Sequence, residues 1–190
     1  LSKKLNANAF FAQKYVWLLA IHLLCAYGML VFFTVQGYGF FSIVFSSLSV
    51  VVSYVFAFWF WRDSTKLMLG QPALPWFKAA LLFNVISSVG TFALAYMMAT
   101  KNIHQNEYLA SIYYYLHFQY NGWFFFGCAG LLIEFLNLKT HQQKTYRQCF
   151  WALFISCIPA YGLSILWLDL PIFVYVIVVM AALVQTLAWL

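Results

Sequence analysis

His117, Gln119 and Asn121 sit close together in the stretch Ser111 to Cys128, S-I-Y-Y-Y-L-H-F-Q-Y-N-G-W-F-F-F-G-C, which is otherwise apolar enough to cross a membrane. At the helical rotation of about 100° per residue, His117, Asn121, Phe124 and Cys128 share one face, and Gln119 points roughly the opposite way. Ionisable and amide groups are costly in hydrocarbon, so they face a packed interior or a cavity. Neutral imidazole is a good ligand for haem iron, copper, non-haem iron or zinc. That chemistry makes His117 a candidate metal ligand and cofactor-binding residue, with Asn121, Tyr120, Gln119 and Asn84 as a supporting polar set. Tyr113, Tyr114 and Tyr120 lie within about 60° of His117 at helical spacing and could hold such a ligand from behind. The plainer reading of Tyr113 to Tyr115 is an aromatic belt at a membrane interface. For His117 itself the plainer reading is a hydrogen bond to a neighbouring helix.

His22 is the other histidine placed within an apolar run, and it is the second cofactor-binding candidate. Two histidines on two helices could hold a b-type haem between them. Depth argues against that pairing. His22 falls near the middle of its run and His117 near the outer end of its own, an offset of roughly 7–9 Å at the helical rise. A buried histidine bonded to a neighbouring carbonyl or hydroxyl accounts for His22 more simply. Asn84, Ser87, Ser88 and Thr91 could line a polar path, but hydrogen bonds between helices account for them more directly. Glu134 and Asp169 fall at the ends of apolar runs, and His104 and His141 fall in polar loops without ligand-spaced neighbours. There is no phosphate loop, no H-E-x-x-H and no G-x-S-x-G. No carboxylate lies in the middle of an apolar run, which weakens a proton-coupled transporter. Cys25, Cys128, Cys149 and Cys157 form no C-x-x-C and read as small packing residues.

The elements that would position these groups follow from composition. The chain has 190 residues, 65% hydrophobic, 22% aromatic and 7% charged, with a mean hydropathy of +0.84. A soluble domain carries about 25% charged residues. The apolar runs are continuous, whereas barrel strands would alternate. The predicted class is therefore all-α, a polytopic transmembrane helix bundle in a single domain over 1–190, with spans at about 11–34, 40–61, 79–98, 109–132, 149–168 and 171–190. Gln36-Gly-Tyr-Gly39 is a short uncharged turn, and 62–78, with two prolines and a glycine, is a connecting loop. Pro159 and Gly162 should kink or thin the fifth span. Ser46, Ser49 and Ser53 recur at helical spacing on the second span and suit close helix packing.

Charge gives orientation. Lys3, Lys4, Lys14, Arg62, Lys66, Lys78, Lys139, Lys144 and Arg147 fall on one side of this arrangement and Lys101 alone on the other. Positive charge stays cytoplasmic, so the N-terminus is expected inside, in a bacterial inner membrane. The net charge of +6 is thus a topology signal with the lipid bilayer as partner, and nucleic acid is not expected. No signal peptide is read at the start. The sequence begins at Leu1 and stops at Leu190 within an apolar run, and the expectation is a segment of a longer chain.

His117 to Phe125, H-F-Q-Y-N-G-W-F-F, resembles a helix motif of the nitric oxide reductase branch of the haem–copper oxidases: histidine, three residues, glutamate, glycine, then aromatics. Gln36 to Gly39, Pro75 to Ser88, Leu116 to Phe126 and Cys157 to Tyr161 also look like bacterial membrane proteins similar to haem–copper oxidase subunit I. The resemblance implies a longer bundle of which this chain is the middle portion. It also implies that His117 is a ligand of the non-haem metal beside a haem, with Asn121 at the position of the reductase glutamate. An amide supplies neither the charge nor the proton affinity of a carboxylate, and that departs from the family's chemistry. The function implied is that of a membrane subunit in electron transfer or small-molecule redox chemistry, an oxidoreductase with haem, copper or non-haem iron, alongside other membrane subunits. The alternative, from the residues alone, is a non-enzymatic structural subunit of a membrane complex or a small-solute transporter, with His117 and Asn121 bonding neighbouring helices.

Overall fold

In hydrocarbon a backbone must satisfy its own hydrogen bonds, and a single segment does so only as a helix. The computed structural model describes residues 2–67, 70–136 and 143–189, and every regular element among them is helical. The elements are α1 (Ser2–Gln36), α2 (Phe40–Leu67), α3 (Leu74–Thr100), α4 (Gln105–His117), a π-helix (Phe118–Phe124), α5 (Phe125–Leu136), α6 (Gln143–Ala160), a 3-10 turn (Tyr161–Ile165) and α7 (Ile172–Trp189). Because α4, the π-helix and α5 follow one another without a break, they form one rod, and six helical segments result. Four helices are long and apolar enough to cross a membrane: Tyr15–Gln36, Phe40–Thr65, Leu74–Thr100 and Lys144–Ile165. The loop expected around Lys139 and His141 lies outside the described residues.

Loops are shorter than the sequence suggests. The connection read over 62–78 is mostly helical: α2 continues to Leu67 and α3 starts at Leu74. Pro75 falls in the first turn of α3, where its missing N–H has no partner to lose. The polar lead-in before residue 11 and the polar residues from Gln105 also join helices, because polarity alone does not end a helix when no breaker is present.

The chain divides into two compact units, Leu1–Asp63 and Ser64–Leu190. The first is a hairpin of α1 and α2. Gly37 adopts a left-handed conformation, φ +61°, and ends α1. The first turn of α2 is capped from across the hairpin. The Gln36 side-chain oxygen accepts from Phe41 N at 3.1 Å and Ser42 N at 3.2 Å, while Ser42 Oγ accepts from Gly39 N at 2.9 Å. Along the hairpin Phe32 stacks on Phe41 and Phe45, and Gly28 leaves room for the Phe45 ring. At its open end Tyr15 donates to Asp63 Oδ2 at 2.6 Å.

In the second unit α3 packs along the α4–π–α5 rod, α6 packs on α7, and the 3-10 turn packs on α4. Phe83 and Phe126, 0% and 1% exposed, are the centre of the core. Phe83 meets Phe118, Phe126 and Phe154 at ring separations of 5.8, 5.2 and 5.3 Å. Glycines let α3 and the rod approach closely. A Cβ on Gly90 would lie 2.6 Å from Ser111 O, and one on Gly122 2.5 Å from Phe83 Cβ. Small residues at such crossings are how membrane helices gain van der Waals contact without a hydrophobic drive between them.

Candidate functional site

His117 ends α4, and the chain then widens into the π-helix Phe118–Phe124. At its far end the Phe125 N–H reaches back to the Tyr120 carbonyl, five residues earlier. A wider turn changes which residues share a face. At α spacing the face of His117 and Asn121 would continue to Phe124 and Cys128. Instead Phe124 and Cys128 are exposed, and the cleft beside His117 is lined by Phe125 and Phe126. π-turns of this kind are often found at functional sites.

His117 is 6% exposed. Its Nε2 lies 2.9 Å from the Cys157 carbonyl oxygen on α6, and its Nδ1 lies 3.1 Å from Asn121 Nδ2. A carbonyl only accepts and an amide nitrogen only donates. The two bonds therefore select the neutral tautomer with the proton on Nε2, where it donates to Cys157, and with Nδ1 accepting from Asn121. The Cys157 thiol contacts the Asn121 carbonyl at 3.6 Å. His117, Asn121 and Cys157 thus close a ring of contacts between the rod and α6.

Pro159 stands inside α6 and removes the donor that would meet the Ile155 carbonyl, one turn earlier. Beyond Ala160 the helix narrows to the 3-10 segment, one turn after the carbonyl that His117 uses. The kink read from Pro159 and Gly162 is this narrowing, and Gly162 packs against Val178 of α7.

Gln119 faces the other way, towards α3. Its Nε2 donates to Asn84 Oδ1 at 3.1 Å and to Ser87 Oγ at 2.8 Å. Ser87 and Ser88 each donate to a carbonyl of their own helix. The polar residues of α3 are thus part of a bond network between helices.

Tyr161 is a residue that spacing along the rod does not point to. Its hydroxyl donates to the Ala110 carbonyl at 2.9 Å, and its ring meets Tyr114 at 5.2 Å and His117 at 6.0 Å. Of the tyrosines near His117 in sequence, Tyr114 faces inward onto Phe118, at 4.7 Å. Tyr120 is 64% exposed. Tyr113 pairs with Trp167.

The cleft has a volume of about 270 Å³, and His117, Asn121, Ser164 and Gln185 are its polar lining among phenylalanine and leucine side chains. His22 lies on α1, in the first unit, and is exposed. Among the described residues no three His, Cys, Asp or Glu side chains come together in a way that could hold a metal ion. No family model matches the chain, and neither a curated protein nor a solved structure matches it.

Proposed function

We propose that the chain is a non-enzymatic, membrane-embedded helical subunit of a larger complex. Its N-terminus lies on the cytoplasmic side of a bacterial inner membrane, and His117 is a helix tie. One observation carries this reading: both ring nitrogens of His117 are engaged by the protein itself, Nε2 by the Cys157 carbonyl and Nδ1 by Asn121. A neutral histidine with both nitrogens bonded has no lone pair left for a ligand and no unmet polar atom. Gln119 repeats the pattern on the opposite face with Asn84 and Ser87. Support for partners is the apolar exterior: Leu19, Leu23, Leu30, Phe173, Val176 and Met180 all point outward, a surface that lipid and other transmembrane helices cover. Orientation rests on the Lys and Arg asymmetry.

A second reading, a redox subunit related to haem–copper oxidase subunit I, draws on one feature of the same site. A histidine that ligates a metal commonly donates its other N–H to a carbonyl, which fixes the ring and raises its basicity. His117 makes that bond to Cys157. Only the Asn121 amide covers Nδ1, and Asn121 is exposed at the cleft. If that amide turned away, Nδ1 would face the cleft as a single ligand for haem iron, copper or non-haem iron, groups that would supply electron transfer.

An optical spectrum of the purified protein, oxidised and dithionite-reduced, with metal analysis of the same sample, separates the two. The structural reading expects no Soret band and no stoichiometric iron or copper. A Soret band that weakens in His117→Ala would overturn it and establish the redox reading.

A further inference from the structure

A second cleft, of about 350 Å³, lies where α3 and α6 begin, lined by Gly70, Pro72, Pro75, Trp76, Tyr146, Arg147, Phe150 and Trp151. We propose that it binds the phosphate headgroup of an anionic phospholipid, with Arg147 on the phosphate and the Trp76–Phe150–Trp151 wall against the glycerol and first acyl carbons.

Charge is the first argument. Arg147 is exposed and makes no hydrogen bond or ion pair among the described residues, and the same holds for Lys144 one turn earlier. Both stand at the start of α6, whose first turn has no acidic residue. The N-terminal end of a helix is itself positive, and cations placed there repel it. An anion held at this turn offsets both the side-chain charges and the helix end, and the guanidinium fork matches phosphate oxygens in pairs.

Shape and position are the second argument. Trp76 is 5% exposed and meets Phe150 at 5.3 Å, while Trp151, 47% exposed, stands at the open rim. Tryptophan and tyrosine with arginine beside them, at the end of membrane-crossing helices, are the composition of the headgroup layer. The volume is within the range of small-ligand sites. The bilayer is the source that supplies a phosphate joined to an apolar body at this level.

The test uses the full chain purified in a neutral detergent and stripped of lipid. Binding of dioleoylphosphatidylglycerol, dioleoylphosphatidylcholine and inorganic phosphate is followed by native mass spectrometry. The expected result is retained phosphatidylglycerol, with binding roughly tenfold weaker in Arg147→Gln and also reduced in Trp151→Ala. Arg147→Lys should recover part of the loss. Lys101→Gln, on the loop after α3, should leave binding unchanged. Equal loss in Lys101→Gln would show attraction to overall charge and overturn the site. So would retention unaffected by Arg147→Gln, equal retention of phosphatidylcholine, or inorganic phosphate competing as well as the lipid, which would make this a free-anion site. Arg147 is exposed, so its substitution tests binding without disturbing the core.

Discussion

At the scale of single residues, His117 ties the rod to α6 through bonds of unequal exposure. The bond to Cys157 is buried, whereas Asn121 is open to the cleft. Replacing His117 by alanine leaves the Cys157 carbonyl and the Asn121 amide without partners. The expected cost is about 1–3 kcal/mol, the desolvation penalty of an unmet buried group. Asn121→Ala frees only Nδ1, beside an open cleft, and should cost less, about 0.5–1.5 kcal/mol. Unfolding in mixed detergent by SDS titration measures both, and a double-mutant cycle gives their coupling. Equal costs would mean that the two bonds do not differ in burial as the structure shows. Gln119→Leu removes two bonds to α3, those to Asn84 Oδ1 and Ser87 Oγ. Hydrogen bonds between membrane helices average about 0.6 kcal/mol, so a loss of about 1 kcal/mol is expected in the same assay.

At the scale of elements, the π-helix is the feature on which the site depends, and its fit to α3 is set by glycine. Gly122 lies within the π-helix and Gly127 within α5, yet their surroundings differ. A Cβ on Gly122 would lie 2.5 Å from Phe83 Cβ, whereas on Gly127 the nearest atom of another helix, Ala80 Cβ, is 4.0 Å away. Gly122→Ala should therefore destabilise by about 1–3 kcal/mol, the cost of overpacking. Gly127→Ala should be neutral or stabilising by up to about 1 kcal/mol, from helix propensity alone. Gly90→Ala should be at least as harmful as Gly122→Ala, because its nearest neighbours, Ser111 O and Tyr115 N, are backbone atoms that cannot rotate away. Thermal denaturation in detergent, followed by helical circular dichroism, ranks the three. A harmless Gly122→Ala would mean that the π-helix and α3 are not in this contact.

At the scale of the whole molecule, topology is the testable property. With the N-terminus cytoplasmic, cysteine-free variants carrying single cysteines at Lys101, Lys66 and Lys144 should react with an impermeant maleimide as follows: Lys101→Cys in intact cells, and the other two only after permeabilisation. The reverse pattern would invert the orientation read from charge. Lys101 is the only residue other than glycine with positive φ among the described residues, at 55°, and it closes α3 through a bond to the Met98 carbonyl. That bond comes from the backbone N–H, so Lys101→Cys keeps it and the label reports the side that α3 ends on.

The sequence by itself determined the class of the chain. Long apolar runs with 7% charged residues leave helix as the only backbone solution in lipid, and the turn at Gln36–Gly39 and the break near Pro159 are written in local residue types. It also placed His117 and Asn121 on a common face and Gln119 away from them, because one helical turn is a local property. Two features were decided by tertiary packing. The first is the widening after His117, which moves the lining of the cleft from Phe124 to Phe125. No residue type in 118–124 demands it, and in the fold it accompanies the packing of Phe118 and Phe126 on either part of Phe83. The second is the partner of His117, a backbone carbonyl forty residues away in the chain. Every residue has such a carbonyl, so side-chain identity cannot single one out. Only the fold, by bringing this point of α6 to the rod, puts the Cys157 carbonyl where the histidine can use it.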